Sequence, residues 1–117
     1  MENQNKKHRS GVFLIGVERQ RQIEEEGFSV ENDDKYANGE LGSAGVCYSA
    51  LEFYRNADAD EYEDKKEHGF FPWPWHLSWW KPSDDPVKNL VKAGALIAAE
   101  IDRLNRLKAK QAEGGEG

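Results

Sequence analysis

The chain has 117 residues, room for one hydrophobic core but not for two. Its formal charge is −6 and 32% of its residues are charged, which argues against binding to the DNA or RNA backbone. A single cysteine, Cys47, excludes an internal disulfide, and its apolar neighbours read as burial rather than reactivity.

Residues 1–10 are polar and read as a disordered tail; its Lys6-Lys7-His8-Arg9 cluster reads as solvated charge. A first helix is predicted over 12–26, where Val12, Ile15, Arg19, Ile23 and Glu26 share a stripe. Gly27 is its natural stop, and 28–38 reads as a polar connection rich in turn and cap residues. A second helix is predicted from Asn38 or Gly39 to about Tyr54, with Asn38 as N-cap and Glu40 in the first turn. Leu41, Ala44, Tyr48 and Leu51 form one stripe and Val46, Ala50 and Phe53 another, so this helix is expected to be central. Gly39, Gly42 and Gly45 recur every third residue. Without a Lys-Ser/Thr ending or a preceding strand, they read as sites of close helix approach rather than as a phosphate loop.

Residues 56–69 lack a clear period and read as a loop with a turn of helix. All four tryptophans follow in Phe70-Phe71-Pro72-Trp73-Pro74-Trp75-His76-Leu77-Ser78-Trp79-Trp80-Lys81-Pro82. Three prolines there exclude a regular helix or a central strand. This stiff aromatic segment either caps a helical core or offers its rings to a ligand, and the two roles are compatible. The third helix opens at Asp85-Pro86, an N-cap followed by proline at the first helical position. Val87, Leu90, Val91, Gly94, Ile97, Ala98, Ile101 and Leu104 keep a stripe over five turns, with Lys88, Lys92, Ala99, Asp102 and Arg106 away from it. From 108 to 117 the chain is expected to fray. The fold class is all-α: a bundle of three main helices over 11–107, with a long Trp/Pro-rich loop before the last. No apolar run is long enough to span a bilayer and no signal peptide is read, so a cytoplasmic location without a membrane partner is expected.

Carboxylates are the first candidates for chemistry. Glu25, Asp33 and Asp102 belong to the acidic set, and Glu18, Glu26, Asp34, Glu40 and Glu100 are the candidate metal ligands. Mg²⁺ prefers oxygen donors, and bundles build such sites from facing helices. Glu40 and Glu100 interrupt apolar stretches, where a charge needs a partner. Lys92 could reach a phosphate or pair with an acid such as Glu26. His8, His68 and His76 show no zinc spacing, and no Ser-His-Asp arrangement can be argued. As a ligand surface, Trp73, Trp75, Trp79 and Trp80 would stack a base, while Lys81, Lys92 and Arg103 would meet phosphate.

Several motifs together carry a resemblance over about 17–107. They are Glu18-Arg19-Gln20-Arg21-Gln22-Ile23, Glu26-Gly27-Phe28, Glu31-Asn32-Asp33-Asp34, Gly39-Glu40-Leu41, Trp73-Pro74-Trp75, Trp79-Trp80-Lys81-Pro82, Leu90-Val91-Lys92-Ala93-Gly94-Ala95-Leu96-Ile97 and Ala99-Glu100-Ile101-Asp102-Arg103-Leu104. The combination resembles a small phage and prophage protein family. Some of its members are similar to MazG-like all-α nucleoside triphosphate pyrophosphohydrolases, which use Mg²⁺ on helix carboxylates to release pyrophosphate. The resemblance implies a phage-encoded, nucleotide-handling protein of the host cytoplasm. The chain departs from the MazG-like motifs: Gly27-Phe28 interrupts a Glu-Glu-x-x-Glu helix, and Glu61-Tyr62-Glu63-Asp64 keeps only the Glu-x-x-Asp spacing. No catalytic residue is therefore carried over. Three functions are expected in order: a Mg²⁺-dependent pyrophosphohydrolase, an anti-defence protein sequestering a nucleotide-derived immune signal, and a protein-interaction module with an exposed Trp patch. A homo-oligomer is expected because the third helix is longer and more apolar than one small core requires.

Overall fold

The computed structural model describes residues 9–116, with side chains through residue 114. Helix α1 (Gly11–Glu25) starts at Ser10, whose hydroxyl accepts the Phe13 N–H at 3.1 Å. Gly27, at a φ of 72°, reverses the chain so that the Phe28 N–H returns to the Gln22 carbonyl. A single-turn helix α2 (Val30–Asp33) follows, capped by Ser29 in the same way. Helix α3 (Glu40–Ala57) begins after Gly39 rather than with an Asn38 cap, because Gly39 adopts a φ of 81° that only glycine takes readily. The Glu40 carboxylate accepts the Asn38 N–H instead.

Residues 59–68 correct the loop expectation: they form helix α4 (Ala59–His68). Its only buried side chain is Tyr62, so almost no apolar stripe exists to reveal it. It stands on end effects and charge pairs. Asp58 accepts the Glu61 N–H, Glu61 faces Lys65 one turn on, and Gly69 at a φ of 81° ends it. The aromatic segment then crosses as a strap with a 3₁₀ turn at Leu77–Trp79 and a cis Phe71-Pro72 bond. Helix α5 (Pro86–Glu116) starts where Asp85 accepts the Val87 N–H at 2.9 Å. It runs through the segment expected to fray from 108 onward; Lys108-Ala109-Lys110-Gln111-Ala112 are all good helix formers. The expected tail over 1–10 lies outside the described residues except for its last two. No strand occurs among the described residues, and no helix there is long and apolar enough to cross a membrane.

The core forms where α3 lies against α5. Leu41, Ala44, Cys47, Tyr48 and Leu51 of α3 are buried with Ala93, Leu96 and Ala99 of α5. Gly45 permits the approach: a Cβ there would sit 3.0 Å from the Ala93 carbonyl oxygen and from Ile97 Cγ1. Gly42 also faces α5, whereas Gly39 serves the turn. The strap closes the open side. Trp80 is buried, and its indole N–H donates to the carbonyls of Lys65 and Lys66 at the end of α4. Fully buried Asn89 locks the end of the strap by donating to Glu52 Oε2 at 2.7 Å and to the Ser83 carbonyl at 2.8 Å, while accepting the Ser83 N–H at 2.8 Å.

The long stripe read on the last helix does not face this core. Val87, Leu90, Ile97, Ile101 and Leu104 are exposed, and the buried face of α5 carries Asn89, Ala93, Leu96, Ala99 and Arg103 instead. Gly45 brings the α3 backbone close to Ala93 with Ile97 at the edge of the contact, and Ile15 of α1 packs on the stripe at Gly94.

Candidate functional site

Five segments meet at one cleft of about 430 Å³. The end of α1 supplies Gln22 and Glu26, and the connection to α3 supplies Phe28, Asn32 and Tyr36. Tyr48 comes from the middle of α3, and Lys92 and Leu96 from α5. The strap supplies Trp73, Trp75, His76, Trp79 and Lys81. Sharp turns at Gly27 and Gly39 bring Phe28 and Tyr36 back toward the strap.

The aromatic wall is ordered by its own contacts. Trp73 meets Tyr48 edge-on with centroids 5.8 Å apart and Trp75 edge-on at 5.4 Å. Trp75 in turn lies against Tyr36 at 5.2 Å. Such tilted and edge-to-face pairs suit the ring quadrupoles. The Trp73 indole N–H donates to the His76 carbonyl, and His76 Nδ1 accepts the Ser78 N–H. The Tyr48 hydroxyl accepts the Lys81 N–H at 3.1 Å, tying strap to core. Burial pushes the Tyr48 phenol up to about 12, so it remains protonated in neutral solution.

Charge is concentrated on one side. Lys92 Nζ donates to the Lys81 carbonyl at 3.0 Å and lies 4.9 Å from the centroid of the Tyr48 ring. Burial lowers its pKa, while the charges of Glu18 and Glu26 act to hold its proton. The Glu18 carboxyl is pushed up by burial, but Arg21, bonded to both its oxygens at 2.7 and 2.8 Å, brings it below its ordinary value. Gln22 Nε2 donates to the same carboxylate at 3.2 Å, which fixes the amide orientation. Gln22 Oε1 and the Trp75 indole N–H are then buried without a protein partner among the described residues.

Of the residues read from sequence as ligand-binding, Trp73, Trp75, Trp79, Lys81 and Lys92 line this cleft. Trp80 lies behind it, within the core. Arg103 is buried elsewhere, bonded to both oxygens of Glu100 at 2.7 and 3.0 Å. Gln22, Phe28, Asn32, Tyr36, Tyr48 and His76 were not singled out as binding residues. The Gly27 stop and the turn-rich 28–38 segment were the signals that chain folds back there.

The candidate metal ligands are dispersed. Glu18 belongs to Arg21, and Glu26 lies 3.4 Å from the same guanidinium. Asp34 accepts from Arg106 at 2.9 Å, Glu40 from a backbone amide, and Glu100 from Arg103. No three acidic, His or Cys side chains form a group that could hold a metal ion among the described residues. The donor set as arranged does not fit Mg²⁺. The Glu61 and Asp64 pair lies on exposed α4, where both face Lys65. Comparison with protein-family models, curated proteins and solved structures finds no match for this chain.

Proposed function

We propose that the chain binds a nucleotide or a nucleotide-derived small molecule in the strap cleft and holds it intact. The observation that carries this reading is the cleft itself. Its volume of about 430 Å³ lies within the range of small-ligand sites, and planar rings form its walls. A base would stack against Trp73 or Trp75, as bases do on aromatic platforms. Lys92 and Lys81 would meet an attached phosphate. Gln22 Oε1 and the Trp75 indole N–H, unpartnered acceptor and donor, suit a ring edge that presents both kinds of group. Because the strap is braced by its own hydrogen bonds, little ordering would oppose binding.

Sequestration is preferred to Mg²⁺-dependent pyrophosphohydrolysis because each candidate ligand carboxylate already has a partner and no ion-binding group is assembled among the described residues. The hydrolytic reading keeps one specific support, the position of Glu26 at the cleft. A phage protein that removes a nucleotide signal from its host fits the sequestering form. The test is a titration of nucleoside mono-, di- and triphosphates and cyclic nucleotides, following Trp fluorescence and the thermal midpoint, with the ligand analysed by chromatography afterwards. A binder gives saturable quenching, an added stability of about 2.7 kcal/mol at a hundred times Kd, and an intact ligand. Trp73→Ala and Lys92→Met each weaken binding about tenfold or more while the chain stays folded. No response to any nucleotide would overturn the proposal, and a ligand cleaved only when Mg²⁺ is present would restore the hydrolase.

A further inference from the structure

The apolar stripe of α5 is only partly covered: Ile15 of α1 packs against Gly94 and Ile97 lies beside Gly45 of α3, and the large side chains of the stripe stay exposed. Val87, Leu90, Gly94, Ile97, Ile101 and Leu104 are separated by alternating steps of three and four, the spacing of a helix seam that meets another helix. Its five large side chains are 42–54% exposed. No charged residue interrupts these positions, in a chain of which 32% is charged. Ile97 lies beside Gly45, and the next residue of α3, Val46, is exposed, as is Phe53 two turns on. Together these side chains leave on the order of 700 Å² of mostly apolar surface in water. That approaches the ~800 Å² per partner of a stable interface and exceeds the largest patch of a typical monomer.

We infer that two copies of the chain associate through α5, the outer stripe of one copy packed antiparallel against the same stripe of the other across a two-fold axis. The absence of charge along the stripe offers no grip to an acidic or basic partner. It complements another uncharged helical ridge, and a second copy supplies one in matching length and at equal concentration. The stripe runs about 25 Å, long enough for a ridges-into-grooves contact over several turns. Lys92 and Leu96, which line the cleft, point away from the stripe, so association leaves the cleft open and stands independently of what it binds.

Sedimentation velocity of the full chain over about a hundredfold range of concentration tests this. The expected species has twice the 13.3 kDa chain mass. Ile101→Glu and Leu104→Glu each place two like charges in an isologous interface and weaken the dimer about a hundredfold or more, with helicity by circular dichroism unchanged. Ile101→Ala, which introduces no charge, weakens it about tenfold and serves if the glutamate variants fail to fold. Val30→Glu, an equally exposed apolar site on α2, leaves the dimer intact. A wild-type chain that sediments as a monomer throughout overturns the inference, as does a folded Ile101 variant with an unchanged dimerisation constant.

Discussion

Replacing Asn89 by alanine tests how the strap is held. Its side chain is fully buried and makes three hydrogen bonds, one to the Glu52 carboxylate and two to the backbone of Ser83. Each neutral bond is worth about 1 kcal/mol and the charge-assisted one about 2 kcal/mol, with part-buried Ser83 groups and Glu52 left short of partners. Asn89→Ala should therefore lower unfolding stability by about 4 kcal/mol, a large part of the ~5–15 kcal/mol of a single domain. Asn89→Asp should cost at least as much near neutral pH, because the Nδ2 donor becomes an oxygen facing the Glu52 carboxylate. Urea unfolding followed by circular dichroism measures both, with the change read from the midpoint at constant slope. A loss below about 1 kcal/mol for the alanine variant would refute the reasoning, since no single buried bond of the network would then be contributing.

Three further outcomes follow from the same physical picture. Gly45→Leu should destabilise the chain by about 2 kcal/mol or more in the same unfolding assay, because its Cβ alone would reach 3.0 Å from the Ala93 carbonyl and the rest would force α3 from α5. On acidification, stability should fall below about pH 4.5, the ordinary glutamate value. Burial raises the Glu18 and Glu52 carboxyls, but the bonds from Arg21 to Glu18 and from Arg55 and Asn89 to Glu52 hold both lower when folded. Their contribution is thus present above the unfolded value and lost as pH drops through the folded one, and Glu52→Gln should flatten that part of a pH-dependent unfolding curve. Cys47 is buried and burial pushes its thiol up to about 11, so a thiol reagent at pH 8 should label it only after denaturant is added. Rapid labelling of the native chain would show that α3 opens locally.

Helices α1, α3 and α5 were legible because their caps and periodic apolar residues are local signals. Ser10 was not recognised as a cap, yet Gly27 as a stop and Asp85-Pro86 as a start behave as short-range chemistry requires. Helix α4 escaped because Tyr62 is its only buried side chain, leaving caps and charge pairs without a stripe. The aromatic strap was visible as a stiff segment, but its division of labour was not. Trp80 turns into the core while Trp73, Trp75 and Trp79 line the cleft, and identical side chains a few residues apart differ only in what the fold places around them. Likewise, the carboxylates read as one candidate group are drawn to different partners, Glu18 and Glu26 to Arg21, Glu40 to a backbone amide, Glu100 to Arg103 and Asp34 to the distant Arg106.

Composition, caps and periodicity by themselves determined an acidic, helical chain with a stiff aromatic segment between its last two long helices, because those properties depend on neighbours within a turn or two. Tertiary structure decided which face of α5 is buried. A stripe rich in Leu and Ile is a stronger hydrophobic signal than one of Ala, Asn and Arg, yet the weaker stripe lies inside. Gly45 lets the α3 backbone approach the Ala93 carbonyl and leaves Ile97 at the margin of that contact, so shape, set by residues about fifty positions apart, overrode the local measure of hydrophobicity.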